Sequence, residues 1–364
     1  MRRTALVWAA WTSAVVIVSG PALAFAEPQP AETTATPPAS RTTPSGEYAP
    51  PAGPFKVGQK DLSIKKHDGG ELELRVRWPQ RPDGHEGPWG PWPVVVFSHG
   101  AGGSRDAFGD VSAAWASRGY VVVHPTHSDS VRLRRERGER LTGAQDVVRN
   151  VRPIERCDDV RLILDSLGEV ERAIGGPAGE GGARWIDTSK VGMAGHSAGA
   201  MTTQLLGGVT ARLGGIGRAR SYAEPRIKAF AVISGQGTTT RMFTEDSWKG
   251  VSKPMIVYAG SLDVSPTTQE TPQSRRHPYE LAPPGDKYLV YIEGATHASY
   301  GGKETSRLLA EKPTTDVGVI VRVVESGTLA FWDAYLKGDA GAKAYLASES
   351  LVKAGEGKVE FLRK

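Results

Sequence analysis

The segment Lys190-Val191-Gly192-Met193-Ala194-Gly195-His196-Ser197-Ala198-Gly199-Ala200 decides how this chain is read. Its first five residues form a short run of strand character, and Ala200 to Leu206 continues it with helix-compatible residues. Between them lies Gly195-His196-Ser197-Ala198-Gly199, a G-x-S-x-G pattern. In a chain with 44 glycines the pattern alone is weak evidence. Its place between a strand and a helix makes it specific, because a serine there is lifted out of a sharp, strained turn. The flanking glycines leave room for the neighbouring strand and helix. The turn also sets Ser197 at a helix N-terminus, where backbone N–H groups favour developing negative charge. Ser197 is therefore the expected nucleophile.

The alternation of strand and helix extends on both sides. Val94 to Phe97 is a continuous apolar run, as in a strand buried on both faces. A helix is expected from about Ala107 to Arg118, a strand at Tyr120 to Val123, and a helix from about Ile154 to Leu167. Ile227 to Ile233, Pro254 to Tyr258 and Lys287 to Ile292 read as further strands, and Val317 to Lys337 as the last long helix. Ahead of these, Lys56 to Ile64 and the alternating Leu72, Leu74, Val76 and Trp78 read as two half-covered strands. The pattern predicts an α/β fold: a mostly parallel central sheet with helices on both faces. Ligands in such a sheet sit beyond the carboxyl ends of the strands.

A serine hydroxyl needs a base to take its proton, and an acid to orient that base. Only two histidines follow Ser197. His277 lies in a polar, turn-rich stretch, whereas His297 follows the strand ending at Ile292. His297 is the expected base. Asp263, just past Met255 to Tyr258, is the expected acid. Asp187 precedes the elbow strand and belongs at the opposite edge of the sheet. For the oxyanion, Ala198 N–H is one expected donor. Ser98-His99-Gly100-Ala101-Gly102-Gly103 follows the buried strand, and Ala101 is the expected second donor, with Gly102 as the alternative.

Other polar features read as structural. His124 and His127 precede Ser197 and do not fit the order of a triad. Arg132, Arg134, Arg135, Arg137 and Arg140, interleaved with Glu136 and Glu139, read as a solvated, internally paired run. Trp89 and Trp92 read as packing residues, while Tyr300 stays open as a pocket residue. Cys157, the single cysteine, shares a helix face with Val160, Leu164 and Leu167, as a buried thiol does. No His, Cys and carboxylate spacing points to a metal, and no cofactor is expected. A net charge of +5 gives no support to nucleic-acid binding.

At the N-terminus, Arg2 and Arg3, an apolar stretch from Ala5, and the small residues Ala22, Ala24 and Ala26 form a secretory signal pattern over residues 1–26. Cleavage after Ala24 and after Ala26 fit equally. The stretch is short for a membrane span, so no stable insertion is expected. Residues 27–54 are rich in Pro, Ala, Thr and Ser and read as a flexible segment of a secreted or periplasmic protein. Residues 55–364 form one domain. Oligomeric state is open.

The chain resembles the dienelactone-hydrolase and platelet-activating-factor-acetylhydrolase-like branch of the α/β-hydrolases. The resemblance rests on Phe97 to Gly102, Ala116-Ser117-Arg118-Gly119-Tyr120, Val121 to Pro125, Gly195 to Gly199 and Leu329 to Gly338. It implies an α/β-hydrolase fold and hydrolysis of a carboxylic ester by a Ser-His-Asp triad through an acyl-enzyme. Dienelactone hydrolases use cysteine where this chain has Ser197. The acetylhydrolases place their acid after the strand that follows the elbow, where this chain has Ser234-Gly235-Gln236-Gly237. An acid at Asp263 is similar to the arrangement in bacterial cutinase-like polyester hydrolases. Small, lipid and polymeric esters, amide hydrolysis and acyl transfer all remain open as substrates and reactions.

Overall fold

A computed structural model describes residues 48–50, 53–84, 89–176, 184–214, 217–265, 267–303 and 310–364. The signal pattern over residues 1–26 lies outside them. Apolar residues at every second position give β2 (Glu71–Pro79) one covered face, and β1 (Val57–Lys65) pairs antiparallel with it. Leu72, Leu74 and Val76 of β2 are fully buried. β2 runs antiparallel to β4 (Val121–Thr126), and from there the sheet is parallel. β3 (Trp92–Ser98), β5 (Ile186–His196), β6 (Ile227–Ile233), β7 (Met255–Leu262) and β8 (Lys287–Thr296) follow, and β9 (Val359–Arg363) closes the edge antiparallel to β8. The order across the nine strands is β1-β2-β4-β3-β5-β6-β7-β8-β9.

The two-residue period of a strand divides the core between the faces. Val94 and Val96 of β3 join one apolar cluster, with Cys157, Val160, Ile163 and Leu164 of α4 (Pro153–Asp165) and Leu205 of α6 (Ala198–Leu206). Val95 and Phe97 join the other, with Trp115 of α1 (Gly109–Ser117) and Ile320, Val324, Leu329 and Trp332 of α8 (Val317–Trp332). A run with no polar position is what such a two-sided strand demands.

Element bounds differ from the sequence reading where local bonding intervenes. α4 starts at Pro153, whose fixed φ suits a first helical position. It yields after Asp165 to α5 (Leu167–Ala173). α8 starts from Asp316, whose side chain accepts from Gly318 N–H, and a wider, π-helical turn, Asp333–Lys337, follows it. Between β4 and α4 lie two short helices, α2 (Val131–Glu136) and α3 (Ala144–Arg149). α7 (His277–Glu280) follows β7, while α9 (Ala340–Ala347) and α10 (Ser350–Ala354) lead into β9.

The segment expected to be flexible over residues 27–54 reaches the domain before Pro54. Tyr48 donates its hydroxyl to Asp333 at 2.7 Å and packs edge-on against Tyr345. Asp333 also accepts from Tyr120 and pairs with Arg118 and Lys337. An aromatic ring with a buried carboxylate to bond outweighs the polar composition around it. The rest of that segment, up to residue 47, lies outside the described residues.

Glu325, on α8, is half-buried, and burial followed by repulsion from Asp110 pushes its carboxyl up to about 7. The protonated form is the one the fold favours, so its stabilisation is full below the ordinary carboxylate range and lost as pH rises through about 7. Glu325→Gln should raise Tm by roughly 2 °C at about pH 8.5, allowing for solvent screening, and leave it unchanged at about pH 4. Thermal melts of parent and variant at both pH values check this; an equal gain at both would contradict it.

Candidate active site

β5 ends at His196 and α6 starts at Ala198, so Ser197 alone makes the turn, with φ of 55°. A non-glycine residue in that region is strained and persists only where its surroundings over-determine it. Here they do. A Cβ on Gly199 would lie 1.9 Å from Ser98 O, and one on Gly195 would lie 2.3 Å from the Gly199 backbone. Backbone therefore packs directly on backbone, and Ser197 N–H donates to Ile233 O at 3.1 Å.

The residues expected as acid and base follow strands further along the same edge. β5, β6, β7 and β8 are neighbours about 4.8 Å apart. Residues just past β5, β7 and β8 therefore meet if the side chains turn toward each other. Ser197 Oγ lies 2.9 Å from His297 Nε2, and His297 Nδ1 lies 2.9 Å from Asp263 Oδ1. Ser197 and His297 remain partly accessible, while Asp263 is fully buried. Asp263 accepts at Oδ2 from the Tyr300 hydroxyl and at Oδ1 from the Ser234 hydroxyl, both at 3.0 Å. Burial alone pushes the Asp263 carboxyl up. The Arg275 charge, the His297 contact and the Ser234 hydroxyl outweigh it and hold the group well below the usual carboxylate range. An ionised Asp263 fixes the proton of a neutral imidazole on Nδ1 and leaves the Nε2 lone pair facing Ser197.

Three contributors escaped the sequence reading. Ser234, the residue after β6, has φ of 53° and sets its hydroxyl 2.8 Å from His297 Nδ1, between His297 and Asp263. His196, the variable residue of the elbow, bonds through Nε2 to His297 O at 2.7 Å and packs at a tilt against the His297 ring with centroids 4.8 Å apart. Burial, then the neighbouring His297, push the His196 imidazole down to about 3, so it is neutral at pH 7. It ties the loop after β8 to the elbow. Arg275 stands beside Asp263, with Nε 3.3 Å from Oδ1.

The loop after β3 closes the other side. A Cβ on Gly100 would lie 3.6 Å from Ser197 Cβ and 3.3 Å from His196 Nδ1, so this glycine abuts the serine. Ala101 follows it in the turn closed by Gly103 N–H to Gly100 O. Gly102 has φ of 69° and packs against Val131 and Val147, while its carbonyl accepts from Val131 N–H. Beneath the loop, the fully buried Arg156 donates to His99 O at 2.6 Å, Gly100 O at 3.2 Å and Ser98 Oγ at 3.3 Å. Its other donors form a two-point pair with Asp129 at 2.9 and 2.8 Å. Ser98 Oγ also lies 2.8 Å from His127 Nε2, and His127 Nδ1 lies 2.8 Å from Asp159, which pairs with Lys66. This second Ser–His–Asp string is sealed from solvent, so it braces the loop rather than meeting substrate.

The remaining residues singled out fall elsewhere. His277 Nδ1 accepts from Thr238 N–H. Asp187 stands at the start of β5 and bonds Ser189. Tyr300 is fully buried, with its hydroxyl on Asp263, rather than open to solvent. Trp89 and Trp92 pack with Phe55 at the amino end of β3. His124 is buried against Phe97. Arg132 pairs with Glu136 and Glu73, Arg134 with Glu139 and Asp146, and Arg137 with Glu139. Arg134 is buried, unlike the solvated run expected. Burial pushes the Cys157 thiol up to about 12, which leaves it protonated and unreactive.

Residues 70–134 match the family model of platelet-activating factor acetylhydrolase, isoform II. The match covers β2, β3, α1, β4 and the loop after β3. No curated protein matches the chain. Among solved structures, a ferulic acid esterase from Streptomyces cinnamoneus superposes with a TM-score of 0.57 at 19% identity, covering 86% of this chain and 98% of its own. The chain has the α/β-hydrolase fold. Among the described residues no helix is long and apolar enough to cross a membrane.

Removing Arg156 strands Asp129 in the interior. Arg156→Leu should lower the unfolding free energy by about 3 kcal/mol or more in urea melts. A loss under about 1 kcal/mol would contradict the brace assigned to it.

Proposed function

We propose that this chain of α/β-hydrolase fold is a carboxylic ester hydrolase acting by two-step acyl transfer. The observation that carries the reading is the unbroken contact from Ser197 Oγ through His297 to Asp263, with the serine partly accessible and the acid buried and ionised. The acetylhydrolase family match and the esterase neighbour support ester hydrolysis as the reaction class.

His297 Nε2 takes the proton as Ser197 Oγ attacks the ester carbonyl. Asp263 holds the ring and stabilises the imidazolium. Ala198 N–H, at the start of α6, and Ala101 N–H bind the oxyanion. The bracing of Gly100 by Arg156 supports the second assignment. The alcohol leaves with the proton from His297. Water, activated by the same nitrogen, then releases the acid. No step requires a metal or cofactor.

The reading includes secretion after removal of residues 1–26, supported by their charge and small-residue pattern. A polymeric or otherwise apolar ester has one further support: the exposed Leu262 and Val264 flank Asp263 at the carboxyl edge of the sheet. They present apolar surface beside the relay.

Ser197→Ala should lower kcat on p-nitrophenyl esters by on the order of 10⁴-fold, and Asp263→Asn by about 10²–10⁴-fold, with KM little changed. A panel of rising acyl length, beside a polyester film and an oxidised phospholipid, sorts the substrate classes. Undiminished ester hydrolysis by Ser197→Ala would overturn the reading.

A further inference from the structure

Arg275 lies on the short turn Ser274–Arg276 between β7 and α7 and is 1% exposed. Burying a guanidinium is costly, and a neutral side chain would fill the space without that cost. Its placement is specific. Nη1 donates to Ser234 O at 3.1 Å and Gly235 O at 3.0 Å, which anchors the group to the end of β6. The anchored cation then faces two members of the relay. Nε stands 3.3 Å from Asp263 Oδ1, and Nη2 stands 3.4 Å from His297 Nδ1. Nε makes no hydrogen bond to the carboxylate, so the link to Asp263 is chiefly one of charge.

We infer that Arg275 is a positioning residue of the relay, whose positive charge keeps the Asp263–His297 pair from taking up a proton as the pH falls. The inference rests on the ester-hydrolase reading above. A cation in contact with both groups opposes protonation of either, so the sign does not depend on which of them binds the proton. The other groups facing the pair leave this role to Arg275. His196 is a neutral imidazole, Ser234 an uncharged hydroxyl, and Tyr300 a phenol that burial, then Asp263, hold in its protonated form. Tyr291, on β8, is likewise pushed up by burial. Glu270, on the segment leading into the turn, has its oxygens engaged by Gly237 N–H and the Ser274 hydroxyl.

The test is the pH dependence of kcat/KM on a p-nitrophenyl ester for parent, Arg275→Gln, Arg275→Lys and Ser197→Ala, with folding checked by circular dichroism. Arg275→Gln should move the acid limb up by about one pH unit or more. Arg275→Lys keeps the charge and should hold the limb near that of the parent. A residue that only ties down the β6 loop would lower kcat at every pH in both variants and leave the limb in place, and that result overturns the inference. If Arg275→Gln does not fold, Asp263→Asn is compared with Asp263→Asn/Arg275→Gln, which removes both charges together. The limb of the double variant should then lie above that of the single one, and coincident limbs overturn the inference. Ser197→Ala separates the two levels. If it is inactive while the limbs coincide, only the role of Arg275 falls; if it stays active, the ester-hydrolase reading falls.

Discussion

The close approach of two backbones, Gly199 against Ser98, is the constraint on which the rest of the site depends. It brings α6 hard against the loop after β3. It leaves Ser197 no relaxed way through the turn, and it puts the serine beside Gly100. One contact thus sets both the direction of the hydroxyl and its distance from the loop expected to bind the oxyanion. No side chain larger than hydrogen is compatible with it at Gly195 or Gly199.

The loops at this edge are supported from below by two buried cations. Arg156 bonds the carbonyls of His99 and Gly100 and is neutralised by Asp129. Arg275 bonds the carbonyls of Ser234 and Gly235 and faces Asp263. In each case a guanidinium gathers the carbonyls of a loop at the carboxyl edge, and a carboxylate compensates its charge. Neutral residues would pack there more cheaply, but would leave the loop carbonyls unpaired. The sealed Ser98–His127–Asp159 string belongs to the same support. It has the bond pattern of a triad without access to solvent, so bonding pattern alone does not identify a reacting serine.

Much of the fold was legible in the sequence. A strand buried on both faces carries no polar residue, and Val94 to Phe97 has none. The elbow was legible because G-x-S-x-G stood between a strand and a helix. Asp263 and His297 stood out because each follows a strand and comes after Ser197 in the chain, and the structure brings the three side chains together. Contacts that join distant segments were not legible. His196 is an unconstrained letter of the elbow pattern until its Nε2 is seen on the carbonyl of His297, and Arg275 is one basic residue of a polar stretch. Tyr48 sits in a segment of disordered composition, yet one phenol and a buried carboxylate dock it. Tyr300 was left open as a pocket residue because sequence does not say which way a ring points. β9 went unread because a five-residue edge strand has too few residues to show its period.

The central claim is that Ser197 carries the acyl group between the two steps. Acid-quenching the protein during turnover of p-nitrophenyl acetate, digesting it, and mapping the acetylated peptide by mass spectrometry tests this directly. The acetyl group should be found on Ser197, and a burst of p-nitrophenol close to one equivalent should precede steady turnover. Full turnover with no acetyl on that residue, or a burst that persists in Ser197→Ala, would contradict the account.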